Sequence, residues 1–256
     1  MSDTPKILLA CDLDATFLHS RHHYAPGDLC VEYLNAKPLS LLSKEAHELY
    51  QHLPKEILFA PVTTRARMQY QRIFYLSTPT PKFAVYAHGA HLFRDGVEDE
   101  EWGALAQRLL APAAEEFAQA ERIMESLGAE RIRRVDNTYV QCWTRRAEWM
   151  EQRLRELMHP ALTETLWGGQ KLFVMSRAVN KGMAVRRLKG ITGAQRMFAA
   201  GDSPFDVPML AVAERAYVPY EKMAQRVRDA GGKDVRVIEG DFSAGILKDV
   251  IASLDE

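Results

Sequence analysis

Short apolar runs alternate with amphipathic helical stretches at both ends of this 256-residue chain, and in the middle the alternation stops. Ile7–Cys11, Ile57–Val62 and Phe83–Ala87 read as buried strands. Helical sequence covers Lys44–His52, behind Ser43 as N-cap, and runs from Ala66 to about Tyr75. The C-terminal third repeats the rhythm. It reads as helix Lys181–Lys189, strand Met197–Ala200, a helix from Pro204 to Val212, strand Ala216–Val218, helix Lys222–Ala230, strand Val235–Ile238 and helix Ala244–Leu254. Strands separated by helices at this spacing predict an α/β fold with a doubly wound, Rossmann-like parallel sheet.

The middle predicts something else. A helical stretch from about Trp102 to Leu127, with Pro112 as a point of division, precedes strand-like Arg131–Val135 and Thr138–Thr144, joined by the turn pair Asp136-Asn137. Helix Ala147–Met158 then precedes Thr163–Trp167 and Lys171–Met175, joined through Gly168-Gly169. Helix-strand-strand, twice, is an α+β unit of antiparallel hairpins with helices on one face. The expected organisation is a core from residues 1–90 and 177–256, with a smaller α+β domain, 91–176, inserted between them. Residues 17–42 read as a flap over the end of the first strand, with a short hairpin over Val31–Pro38.

Composition narrows the function classes. With 47% apolar and 26% charged residues the chain can bury a sizeable core. Its 33 basic and 34 acidic residues give no support to a nucleic-acid or membrane-surface partner, both of which favour a basic excess. The few apolar residues before Asp12 are too short for a signal segment, and no later run is long enough to span a bilayer. Cys11, Cys30 and Cys142 are odd in number and lack metal-type spacing, so a cytoplasmic protein with reduced thiols is expected.

In a doubly wound sheet, ligands bind beyond the carboxyl ends of the strands. Asp12 and Asp14 follow the first strand, Thr63, Thr64 and Arg65 the second, and His88 the third; Asp202 and Asp206 follow the strand ending at Ala200. Lys181, preceded by Asn180, opens the helix leading to that last strand. Asp12 and Asp202 are hard oxygen ligands, enough to hold Mg²⁺ with positions left for water and a phosphate oxygen. A carboxylate beside a metal can attack phosphorus. A second carboxylate two residues on can protonate the leaving oxygen and then activate water. A hydroxyl and an ammonium can bind the non-bridging oxygens.

The constellation resembles the haloacid dehalogenase superfamily of phosphohydrolases. Its D-x-D-x-T signature appears as Asp12-Leu13-Asp14-Ala15-Thr16, its strand-ending Thr as Thr63, its Lys in Asn180-Lys181-Gly182, and its G-D-x-x-x-D as Gly201-Asp202 through Asp206. With 14 Asp and 11 Thr, one D-x-D-x-T arises by chance in such a chain with odds of ~3%, so the weight lies in its place after a strand and in the order of the motifs. Taken singly, Thr63 and Lys181 are weak signals, since a helix cap and a surface lysine are the alternative readings.

The resemblance implies Asp12 as nucleophile and Asp14 as general acid/base, with the Asp14 backbone carbonyl also a metal ligand. It implies Asp202 and Asp206 in the Mg²⁺ site, and Thr63 and Lys181 on the phosphoryl group. An insertion between the second and third motifs implies a type 2B cap, as in sucrose-phosphate phosphatase and Cof-like sugar phosphatases. The activity so implied is Mg²⁺-dependent hydrolysis of a small phosphorylated metabolite, with a sugar phosphate as the candidate by analogy, through an aspartyl phosphate. A phosphomutase of the same fold and a non-catalytic binding scaffold are the alternatives.

Substrate contacts are expected from Thr64, Arg65, His88 and Asn180 in the core and from Gln141, Trp143 and Lys171 in the cap. A sheet face of Trp, amide and cationic groups suits a polar leaving group and equally suits an interface with the core. Arg131, Arg133 and Arg134 read as a solvated strand face, and His19, His22 and His23 as a solvated flap. The chain departs from the family pattern at Ala15 (usually Gly), Thr64 (often Gly), His88 (usually Asn) and Phe205 (usually Asn). None of these removes a catalytic group.

Overall fold

The computed structural model describes residues 4–73, 81–168 and 170–256. The chain opens with β1 (Ile7–Cys11) and a three-stranded antiparallel flap made of β2 (His19–Ser20), β3 (Leu29–Leu34) and β4 (Lys37–Leu42). Asn35 and Ala36, both at positive φ, form the β3–β4 turn. Next come α1 (Lys44–Gln51), whose first turn is capped by the Ser43 hydroxyl, β5 (Ile57–Pro61), α2 (Arg67–Gln71) and β6 (Phe83–Tyr86). Then follow β7 (His91–Arg94), β8 (Val97–Glu98), α3 (Glu100–Leu110) and α4 (Ala114–Ser126), with a tight turn of helix around Pro112 between the last two. After them run β9 (Glu130–Val135), β10 (Tyr139–Trp143), α5 (Ala147–Leu157), β11 (Thr163–Gly168) and β12 (Lys171–Ser176). The chain ends through α6 (Lys181–Thr192), β13 (Arg196–Ala200), α7 (Val207–Leu210), β14 (Arg215–Val218), α8 (Glu221–Asp229), β15 (Val235–Val237) and α9 (Phe242–Ala252).

The central sheet is parallel, in the order β15-β14-β13-β1-β5. β1 sits inside it and is buried along its whole length, which is why it reads as an unbroken apolar run. Ile7, Leu9 and Cys11 pack into one layer, and Leu8 and Ala10 into the other. The order of the strands reverses between β1 and β13, the topological switch point at which such sheets open a crevice. Cys11 is in register with Ala200 on one side and Pro61 on the other, so three chain segments leave the sheet together there.

The expected third strand, β6, touches the parallel sheet through one bridge, Val62 to Val85, and otherwise pairs antiparallel with β7. The β7–β8 hairpin turns at Asp95-Gly96, both at positive φ. Trp102 of α3 is buried with Leu8 and Ala10, and its indole N–H donates to the Gly89 carbonyl (3.0 Å). The helix expected from Ala66 to Tyr75 is α2, ending at Gln71. Phe74–Thr80 lie outside the described residues, as does Gly169 of the Gly168-Gly169 pair. Among the described residues no helix is long and apolar enough to cross a membrane.

The inserted unit carries the antiparallel sheet β11-β12-β10-β9. Val140, Cys142, Leu172 and Val174 point to the face covered by Phe117, Met124, Met150 and Leu154 of α4 and α5. On the other face Tyr139, Gln141 and Trp143 lie opposite Met175, Phe173 and Lys171. This second face turns toward the parallel sheet as a cap. Phe173 meets Phe205 edge-on (4.8 Å between ring centres), and the Tyr139 hydroxyl donates to the Thr64 carbonyl (2.9 Å).

Gly182, in the first turn of α6, permits the close approach of α7, because a Cβ there would lie 2.3 Å from the Pro208 carbonyl oxygen. Gly182→Ala is expected to destabilise the fold by about 1–3 kcal/mol through overpacking, read as a lower urea midpoint at unchanged slope.

Candidate active site

β1 ends where its backbone hands over to the loop: Asp12 N–H donates to Ala200 (2.9 Å) and Val62 N–H to Cys11 (2.8 Å). Asp12 leaves the sheet with its side chain buried at the switch point. α6 is started by Asn180, whose Oδ1 accepts from Met183 N–H (2.9 Å) while its Nδ2 donates to the Arg177 carbonyl (2.8 Å). The next residue, Lys181, is 1% exposed and donates from Nζ to Asp12 Oδ1 (2.5 Å) and Asp206 Oδ1 (2.6 Å). Burial alone would lower the pKa of that ammonium. The two carboxylates outweigh it, and Lys181 is held charged.

The loop after β13 is shaped around Asp206. Its Oδ2 accepts from Asp202 N–H (3.2 Å), Ser203 N–H (3.0 Å) and the Ser203 hydroxyl (2.8 Å). A Cβ at Gly201 would lie 2.4 Å from the Asp206 Cβ, so this turn requires glycine. Asp202 accepts from the Thr16 hydroxyl (3.3 Å). Burial, then the charge of Asp206, pushes its carboxyl up to about 7 against the pull of Lys181. Burial likewise drives Asp12 well above its ordinary value, partly countered by Lys181 and reinforced by Asp206, Asp202 and Asp14.

Oxygen atoms of Asp12, Asp202 and Asp206 lie within 4.8 Å of one another. Two of the three carboxylates bond the one ammonium, and burial followed by the charge of Asp206 raises the third, Asp202. The donor set is all hard oxygen and lacks positive charge, which fits a divalent cation such as Mg²⁺. Among the described residues no histidine or cysteine joins a cluster of this kind. His19 pairs instead with Asp28 (2.8 Å), within the flap.

Asp14 has a different environment. Its side chain is 56% exposed and takes a two-pronged contact from Arg65, Nε to Oδ2 at 2.8 Å and Nη2 to Oδ1 at 2.7 Å. Burial would raise its pKa, but the bonds and charge of Arg65, with Lys181 and Lys171 behind them, bring it below the ordinary value. Arg65 also donates to Glu32 Oε2 (2.9 Å), to the Gln69 carbonyl (3.1 Å) and to the Ser40 hydroxyl (3.2 Å). Glu32 is fully buried inside the flap and takes further bonds from Ser40 (2.7 Å) and Arg72 (3.1 Å). The flap is thereby tied to Asp14 through one guanidinium.

Thr63 is buried and accepts at Oγ1 from Arg65 N–H (3.1 Å). The Thr64 carbonyl is occupied by Tyr139 of the cap. His88 is buried in a left-handed backbone conformation (φ 59°), with neither ring nitrogen partnered among the described residues. Burial, with the nearby Lys181 charge, pushes its pKa down to about 3, so the ring is neutral. Gln141, Trp143 and Lys171 share the inner face of the cap sheet. Glu32, Ser40, Tyr139 and Phe173 were not expected at the site. A single acid within Leu29–Leu34 reads as the solvated side of a hairpin, and nothing local announces its buried arginine.

No protein-family profile and no curated protein sequence matches the chain. Solved structures do match in fold. The sucrose-phosphatase of Synechocystis sp. PCC6803, in complex with sucrose and phosphate, superposes with a TM-score of 0.70 at 15% identity over 98% of each chain. The haloacid dehalogenase subclass IIB sugar phosphatase BT4131 gives 0.65 at 14% identity, over 96% of this chain and 98% of that one. A trehalose-6-phosphate phosphatase related protein gives 0.53 at 18%, over 97% and 98%.

Removing Arg65 leaves Glu32 buried with Arg72 and the Ser40 hydroxyl but short of one cation. Arg65→Met is expected to cost about 3–5 kcal/mol in urea unfolding, and adding Glu32→Gln to recover part of it, because the uncompensated charge is then gone.

Proposed function

We propose that this chain, which folds as the haloacid dehalogenase-type phosphatases do, is a Mg²⁺-dependent phosphatase. It hydrolyses a small phosphorylated metabolite through an aspartyl phosphate on Asp12. The observation that carries this reading is the meeting of Lys181 with Asp12 and Asp206 at the switch point, with Asp202 alongside. The core is read as residues 1–90 and 177–256 and the cap as 91–176, although β7, β8 and Trp102 of that segment pack on the core. Three free cysteines fit a reducing, cytoplasmic setting.

Lys181 holds Asp12 Oδ1, which leaves Oδ2 to attack phosphorus. As that bond forms, the bond from phosphorus to the leaving oxygen breaks, and the leaving oxygen takes a proton from Asp14. Arg65 on both Asp14 oxygens keeps this carboxyl ionised, so acid duty begins with its half-exposed side chain swinging off Arg65 and taking up a proton. In the second half Asp14 accepts a proton from water, the water oxygen bonds to phosphorus, and the Asp12–phosphorus bond breaks. Inorganic phosphate leaves and Asp12 is a carboxylate again. Lys181 and the Thr63 hydroxyl face the non-bridging oxygens. Asp12, Asp202 and the Asp14 carbonyl, supported by Asp206, would hold Mg²⁺, which supplies charge neutralisation at the phosphoryl oxygens.

The structures similar in fold include phosphatases named for sucrose and sugar phosphates. For this chain the leaving group is assigned to the space between Asp14 and the cap face of Gln141, Trp143 and Lys171, beside Thr64 and His88. Neutral His88 can donate or accept a hydrogen bond there without adding charge.

Phosphate release from a panel of phosphorylated metabolites tests the reading. Release is expected with Mg²⁺, to stop on chelation, to return with excess Mg²⁺, and to fall by about a thousandfold or more in Asp12→Asn. Release that ignores the chelator, or that survives Asp12→Asn, would overturn it.

A further inference from the structure

Four arginines of the cap are paired with acids: Arg122 with Glu115 (3.0 Å), Arg134 with Glu121 (2.5 Å), Arg153 with Glu156 (2.8 Å) and Arg155 with Glu151 (2.8 Å). Arg146 rests on the Trp149 ring instead. On the sheet face turned toward the core, three cations gather without an acid. Arg133 lies opposite Gln141 and therefore on that face. Arg131 and Lys171 flank the Trp143 ring from two strands, at 5.4 and 5.5 Å from its centre. Among the described residues none of these three has a carboxylate within ion-pair distance. Glu130, in register with Trp143, pairs with none of them.

The backbone is bent to produce this. Between Gln141 and Trp143 the β9–β10 register slips, and Arg131 there adopts a φ of 52°, unusual for a branched-off, non-glycine strand position. Bulges of this kind re-aim a side chain, and here the guanidinium comes to rest over an indole that fixes its plane. Gathering three like charges costs energy that an anion would return. Lys171 shares its face with Phe173, two residues on, which meets Phe205 of the Asp202–Asp206 loop, and its register partner Gly168 would place a Cβ 3.9 Å from the same ring, so the cluster lies beside that loop.

We propose that Arg131, Arg133 and Lys171, set around Trp143 and Gln141, receive a second anionic group of the substrate, so that the leaving alcohol itself carries a carboxylate or a second phosphate. This deepens the phosphatase reading and rests on it. The neutral sugar expected by analogy is replaced by a charged one.

The test is calorimetric binding to full-length Asp12→Asn with Mg²⁺, using three six-carbon probes: glucose 6-phosphate, 6-phosphogluconate and glucose 1,6-bisphosphate. At least one charged probe is expected to bind about tenfold or more tightly than glucose 6-phosphate, the worth of one charge-assisted contact. Which of the two binds better tells carboxylate from phosphate. Adding Arg133→Gln and Lys171→Met, both at exposed positions, is expected to bring the ratio to about one. Equal binding of the three probes, or a preference that survives both substitutions, would overturn the proposal. Turnover of p-nitrophenyl phosphate by the wild type reads the underlying chemistry separately. Its absence beside a clear binding preference would sink the phosphatase reading and support the anion site. Turnover with no preference would do the reverse.

Discussion

One buried ammonium makes the rest of the carboxyl edge possible. Lys181 brings Asp12 and Asp206 together from segments almost two hundred residues apart in sequence. Taking three ions out of water costs several kcal/mol for each, and the arrangement holds because every partner is bonded: Lys181 to two carboxylates, Asp206 to three donors of its own loop. Asp202 stands beside them with a side-chain bond from Thr16, and burial with the Asp206 charge raises its pKa despite the pull of Lys181. On the phosphatase reading this excess of acid has a use, since an anionic pocket repels phosphate until a divalent cation joins it.

Thr63, Thr64 and Arg65, just beyond β5, send that order outward in different directions. Extended chain points successive groups to alternate sides. Thr63 stays buried, the Thr64 carbonyl takes a hydrogen bond from the cap, and Arg65 reaches across to Asp14 and the flap. Cap, flap and acid/base candidate thus meet on one short turn. A cap that opens must break the Tyr139 bond and part Phe173 from Phe205, within a few residues of Thr63 and Asp202 respectively.

The parallel sheet was legible because each buried strand is a short apolar run bounded by helical periodicity. The convergence of Asp12, Asp202, Asp206 and Lys181 was legible for a related reason: strand ends in such a sheet have fixed neighbours. The β7–β8 hairpin was not seen, although Asp95-Gly96 is a strong turn signal, because two- and four-residue strands leave too little alternation to detect. Side-chain partnerships across the fold were the least legible. Arg65 reads as a substrate contact from its place after Thr63, yet its donors go to Asp14, Glu32, Ser40 and Gln69. The basic run Arg131–Arg134 reads as one solvated stripe, and a bulge with one left-handed residue sorts it onto two faces.

Glu32 has a consequence for how this chain can change. Surface loops are ordinarily where insertions and deletions accumulate, since their backbone is solvated and their side chains carry little. The flap is such a segment by position, but its buried acid neutralises the arginine that grips Asp14. A one-residue slip in β3 would turn Glu32 outward and bring a neighbour in, leaving Asp14 as the acid that Arg65 still holds. The tip at Asn35-Ala36 is free to drift, while the spacing from Leu13 to Glu32 is held. Lineages descended from this sequence should therefore vary in length beyond β3 and keep its register, with Glu32 and Arg65 replaced together or not at all.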